Sequence, residues 1–99
     1  MLFIIRFNVN RQLLSQYNRI VPKMVGYWKK FPEIKKVRWY GRLIGGNQTR
    51  MIIFDVKGQT NLAFLDKMST EPEFQEIYSM FRDTITDFET EAFHELPIA

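Results

Sequence analysis

Ninety-nine residues, 45% of them hydrophobic and 25% charged, suffice for one core and are too apolar for a disordered chain. The net charge is only +3, and the lack of cysteine excludes disulfides, thiolate catalysis and sulfur-ligated zinc and makes a reducing cytoplasm the expected compartment. Aromatic residues at 15%, nine of them Phe, exceed what one small core needs and predict that some line a pocket or an interface.

The opening stretch MLFIIRFNVN has no basic run and is too short and alternating for a signal peptide or a spanning helix, so no membrane association is expected. It reads as a strand, with Phe3, Ile5, Phe7 and Val9 on one apolar face and Leu2, Ile4, Arg6 and Asn8 on the other. Asn10 is placed to cap a helix over Gln12 to Lys30, whose Leu13, Leu14, Tyr17, Ile20, Val21, Met24, Val25 and Trp28 recur at three and four. Pro22 lies inside it, so the helix either kinks there or restarts with Pro22 in a first turn, and a kinked continuation is the preferred reading.

Phe31-Pro32 stops this helix, and Lys35 to Ile44 alternates Val37, Trp39, Gly41 and Leu43 against Lys36, Arg38, Tyr40 and Arg42. Gly45-Gly46-Asn47 tolerates the positive φ of a hairpin turn, and Arg50 to Val56 returns as the third strand. Lys57-Gly58-Gln59 leaves the sheet, after which Leu62, Phe64, Leu65 and Met68 form a short helix. A second helix begins near Thr70-Glu71-Pro72-Glu73, with Thr70 as cap, and carries Phe74, Ile77, Tyr78 and Phe81. The last strand, Ile85 to Leu96, places Phe88, Ala92 and His94 on one face and Asp87, Glu89, Glu91, Phe93 and Glu95 on the other.

The order β-α-β-β-α-β specifies one α+β domain over residues 1–99, with a ferredoxin-like four-stranded antiparallel sheet and helices on one face. Right-handed crossovers put the first and third strands in the centre and the second and fourth at the edges. The other sheet face is left bare and needs a partner, for which a second copy of the chain is the expected answer. Basic residues crowd the second strand and acidic residues the fourth. Arg38 and Arg42 of one subunit facing Glu89 and Glu91 of another would set the register of such a homodimer. Tyr40, Phe93 and Arg6 also point to that interface, and Arg6, central on the bare face, needs a carboxylate such as Glu89.

Several segments carry a family resemblance: Tyr40-Gly41-Arg42-Leu43-Ile44-Gly45-Gly46, Arg50-Met51-Ile52-Ile53-Phe54-Asp55-Val56, Pro72-Glu73-Phe74-Gln75-Glu76-Ile77 and a last strand ending Glu91-Ala92-Phe93. Together they resemble the dimeric α+β barrel superfamily, in members similar to NIPSNAP proteins and to antibiotic-biosynthesis monooxygenases. The resemblance implies two subunits packed bare face to bare face, with a ligand site between each sheet and its helices. Haem-degrading members use a histidine on the second helical region, and Leu62 to Phe81 contains none, so that activity is not expected. Cofactor-free monooxygenase members use Asn, Trp, Tyr and Arg, residue types that Asn8, Trp28, Trp39, Tyr40 and Arg38 supply without aligning into that constellation.

His94 is the one histidine and therefore the natural general base, against the competing reading of a strand-end surface residue. Trp28 and Trp39 could stack on a planar ligand while Tyr17, Tyr40 and Tyr78 donate hydrogen bonds to it, with Asn8 a further candidate ligand residue; the competing reading for Trp28 and Tyr17 is core packing. No ligand spacing for a metal is present, and no cofactor is expected. Thr49 to Val56 lacks the glycines and spaced aromatics of an RNA-binding strand, and the acidic last strand would repel phosphate, so nucleic acid is not an expected partner. The expected function is binding of a small apolar or aromatic molecule by a homodimer, with cofactor-independent monooxygenation or isomerisation as the candidate chemistry. The alternative is a non-catalytic dimerising module whose pocket is filled by its own side chains.

Overall fold

Period-two strands and three-and-four helix stripes meet across one sheet face. The computed structural model describes residues 1–58 and 62–98, with the backbone alone of Leu62. It contains β1 (Leu2–Val9), a 3-10 turn (Arg11–Leu13), α1 (Leu14–Trp28), β2 (Ile34–Gly41), β3 (Arg50–Val56), α2 (Leu62–Ser69), α3 (Pro72–Asp83) and β4 (Ile85–Phe93). The strands lie in the order β2-β3-β1-β4 with every neighbouring pair antiparallel, which is the ferredoxin-like sheet expected from the element order. The expected path of Gln59 and the expected inward side chain of Leu62 lie outside the described residues.

Asn10 caps the first helical segment by accepting a hydrogen bond from the Gln12 amide at 3.1 Å, and α1 then runs through Pro22 to Trp28. Phe7, Ile52 and Phe81 are fully buried. The Phe7 and Phe81 rings meet edge-on at 5.1 Å, and Tyr17 of α1 leans on both, at 6.1 and 6.3 Å. Ring pairs of this kind add about 0.5–1.5 kcal/mol beyond the area they bury. Sheet, α1 and α3 are thus joined at one end of the layer.

The first helix opens as a 3-10 turn and ends at Trp28 rather than Lys30, and three further places differ from the sequence reading. β2 stops at Gly41, so Leu43 and Ile44 are not strand residues but stand 98% and 90% exposed in a hairpin loop over residues 42–49. One last rung joins the Arg42 amide to the Thr49 carbonyl at 2.7 Å, and side chains then take over the backbone groups. Arg42 Nε donates to the Gln48 carbonyl at 2.6 Å, Asn8 Oδ1 accepts from the Thr49 amide at 2.7 Å, and Asn8 Nδ2 donates to the Asn47 carbonyl at 2.9 Å. Gly45 and Gly46, at φ +79° and +74°, make the reversal as expected.

In β4 an extra residue interrupts the ladder, because Arg6 opposes Glu89 while Asn8 opposes Thr86. Asp87, at φ +54°, forms this bulge and shifts the alternation by one. Ile85 therefore faces the helices at 7% exposure together with Phe88, whereas strict alternation would have placed it with Asp87. β4 also ends at Phe93 rather than Leu96, since its partner β1 runs out at Leu2, opposite Phe93. The third difference concerns Thr70. Its hydroxyl donates to the Lys67 carbonyl at 2.8 Å and so closes α2, leaving Glu71 as the residue before α3, with Pro72 in the first turn.

Asn8 also donates from Nδ2 to Asp87 Oδ2 at 2.9 Å, so one side chain ties β1 to the hairpin and to the bulge. That bond, then one from Thr86, holds the Asp87 carboxyl below its ordinary value of 3.8. A lowered folded value means that the contribution is present above the unfolded value and is lost as the pH falls through the folded one. Asn8→Ala should raise the Asp87 midpoint in an NMR titration and speed amide exchange at Thr49. An unchanged midpoint would refute the tie.

Candidate functional site

The helices close on the sheet at the Phe7–Phe81 end and leave a cavity of about 510 Å³ toward α2. Its walls include Phe3 and Ile5 of β1, Phe54 of β3, Trp28 of α1, Phe64 of α2 and Tyr78 of α3, with Phe81 shared between cavity and closed core. Trp28 meets Phe54 edge-on at 4.4 Å, and Tyr78 stacks on Phe74 at 5.2 Å. The local reason is alternation. Phe3, Ile5 and Phe54 are the inward positions of the two central strands, and Trp28 ends the apolar stripe of α1.

Among the described residues, four of the lining carry a carboxyl or hydroxyl group: Asp66 and Ser69 on α2, Tyr78 on α3 and Thr90 on β4. Ser69 spends its hydroxyl on the Asp66 carbonyl at 2.7 Å. The hydroxyls of Tyr78 and Thr90 have no hydrogen-bond partner among the described residues.

The α2–α3 junction is pinned to α1 beside the cavity. Tyr27 donates from its hydroxyl to Glu71 Oε2 at 2.6 Å, and Lys30 pairs with Glu73 at 2.9 Å. Burial, followed by the bond to Glu71, raises the Tyr27 phenol far above its ordinary 10.0.

Of the candidate ligand residues, the structure brings Trp28 and Tyr78 together at the cavity. Tyr17 and Trp39 instead bond to each other, Trp39 Nε1 donating to the Tyr17 hydroxyl at 3.3 Å, and burial raises the Tyr17 phenol. Trp39 supports the cavity wall from behind, its ring 6.2 Å from that of Trp28. Asn8 lies on the opposite sheet face as the tie described above. His94 falls beyond the end of β4 and is exposed, near Met1, Leu2 and Lys35, so it does not share the inward face with Phe88 as strict alternation predicts. The cavity reaches neither His94 nor Trp39. Phe64 and Phe88 were legible as inward apolar positions, whereas no sequence signal marks Asp66 or Thr90 as lining.

The residues expected at a dimer interface sit on the outer sheet face, with Tyr40 42% and Phe93 48% exposed. Arg6 pairs with Glu91, not with Glu89. Glu89 is its cross-strand neighbour, but a long arginine reaches the diagonal position as easily. Arg38 lies 3.8 Å from Asp55, with its Nε buried and unpartnered. Arg42 and Glu89 form no ion pair among the described residues. The described residues contain no group of three or more metal-ligating side chains and no helix long and apolar enough to cross a membrane.

No protein-family model and no curated protein matches the chain. Solved structures do. The chain is similar to At3g17210 from Arabidopsis thaliana, with TM-score 0.78, 8% identity, and 99% of this chain and 97% of that one covered. It is similar to SnoaB, a cofactor-independent oxygenase from Streptomyces nogalater, with TM-score 0.74, 15% identity and coverage of 98% and 93%. A dimeric ferredoxin-like protein of unknown function from Thermobifida fusca gives TM-score 0.72, 15% identity and coverage of 95% and 89%. At such identities the likeness establishes the fold alone, a ferredoxin-like one.

The Tyr27–Glu71 tie beside the cavity has a signature in pH. A raised phenol value means that its contribution to stability is full below 10.0 and is lost as the pH climbs toward the folded value. Glu71→Gln should flatten the alkaline fall of unfolding free energy measured in urea. A slope equal to that of the wild type would show that the tie does not support the site.

Proposed function

We propose that the chain is a homodimeric binding protein for a small, largely apolar or aromatic molecule held between sheet and helices. The cavity carries this reading: about 510 Å³ lies within the range of roughly 300–1,000 Å³ typical of small-molecule sites, and its walls are mostly aromatic and aliphatic. Such a volume argues against the alternative of a module filled by its own side chains.

Dimerisation is supported by the outer sheet face, where Met51, Ile53 and Tyr40 share one surface across β3 and β2. It is supported also by the description of the Thermobifida fusca neighbour as dimeric. With Glu91 and Arg38 engaged inside the subunit, Arg42 and Glu89 become the charged residues available to register one copy on the other. Kinship with the NIPSNAP-like and monooxygenase-like proteins, and residence in the cytoplasm, belong to the same reading.

A second reading, cofactor-independent oxygenation of the bound molecule, draws support from the likeness to SnoaB. In this chain the lining groups able to accept a proton or orient an oxygen atom are Asp66, Ser69, Tyr78 and Thr90.

Sedimentation at micromolar concentration should give a dimer that Ile53→Glu converts to monomer. A wild-type monomer would refute the assembly. Binding is tested with anthracenemethanol by fluorescence: Leu65→Trp, which fills the cavity, should weaken it by about tenfold or more, a loss of ~1.4 kcal/mol. Equal affinity would place the ligand elsewhere. Oxygen uptake with anthrone no faster than in buffer would remove the oxygenase reading and leave the binding one standing.

A further inference from the structure

Charge at the cavity, more than shape, narrows what can occupy it. Among the described residues, Asp66 is the one member of the lining that is charged at neutral pH, and no Lys, Arg or His joins it. Its carboxylate forms no ion pair among the described residues. A bound anion would lose water to a wall of aliphatic and aromatic side chains and would meet, in place of a counter-ion, a charge of its own sign. Arg82 borders the wall at Phe88. It stands over the ring of Phe88, 4.0 Å from its centroid, but Arg82 is exposed and is not itself part of the lining.

The polar groups that remain are neutral. Tyr78 is held by its stack on Phe74 and its edge-on contact with Phe88, and its hydroxyl is uncommitted. Thr90, on the same inward face of β4 as Phe88, brings a second uncommitted hydroxyl to the same cavity. Hydroxyl groups donate to a carbonyl or exchange hydrogen bonds with an alcohol, and they fix orientation without demanding charge.

We infer that the cavity selects uncharged molecules, an apolar or aromatic body bearing a hydroxyl or carbonyl group, and rejects carboxylates, with Asp66 as the residue that sets this preference. The inference rests on the binding reading above and deepens it.

Two fluorescent probes with one ring system separate the two claims. Anthracenemethanol should bind, and anthracenecarboxylate should bind about tenfold or more weakly, the scale of one like charge near a partly solvated site. Asp66→Asn, on an exposed helix position, should narrow the gap between alcohol and carboxylate several-fold. Tyr78→Phe should weaken the alcohol several-fold relative to unsubstituted anthracene. Equal binding of alcohol and acid by the wild type would overturn the inference and spare the binding reading, as would an unchanged gap in Asp66→Asn. Failure of both probes to bind would overturn the two together.

Discussion

The contact of Phe7 with Phe81 and Tyr17 determines where the two layers of this protein touch and, by doing so, where they do not. It sits near the end of the central strand β1 and draws α1 and α3 onto the sheet together. From that point the sheet extends to Phe3, while α1 ends at Trp28 and α3 begins at Pro72. The short α2 spans the remaining width with Phe64 and Met68. A cavity at this end is what two layers produce when they are clamped at the other, provided that the side chains between them are rings that cannot collapse into the gap.

Much of this was legible in the chain. Phe3, Ile5, Phe7, Ile52 and Phe54 alternate without exception, and the α1 stripe from Tyr17 to Trp28 keeps its spacing through Pro22. What stayed hidden depended on side chains that compete with the backbone. Asp87 in the left-handed region inverts the faces of β4 at one point, and strict alternation cannot signal that inversion because Ile85 and Phe88 are both apolar. Asn8 looked like a ligand group because asparagine is often one. Its three partners, Asn47 and Thr49 in the hairpin and Asp87 at the bulge, were far away in sequence. His94 drew attention by being the single titratable group near neutrality, but chemistry of that kind needs placement, and the strand that would have placed it ends one residue earlier.

The outer sheet face shows how charge can be present and yet largely spent. Arg6 with Glu91, and Arg38 with Asp55, are neutralised inside the subunit, so the polarity between a basic edge and an acidic edge is weaker than composition suggests. The apolar side chains the face offers a neighbour are Met51, Ile53, Tyr40 and Phe93. Association of two such faces would be driven by area, and the few remaining charges would choose the angle. Sheet face and cavity are opposite sides of the same strands, so neither use interferes with the other.

The register of Leu2 against Phe93 has a consequence in time as well as space. The central strand is completed by the last strand, across nearly the whole chain, so the sheet cannot close until almost everything else is in position. Long-range closure of this sort carries a large entropic barrier and slows folding relative to helical proteins of equal size. Until β4 arrives, β1 presents an open hydrogen-bonding edge to the surroundings.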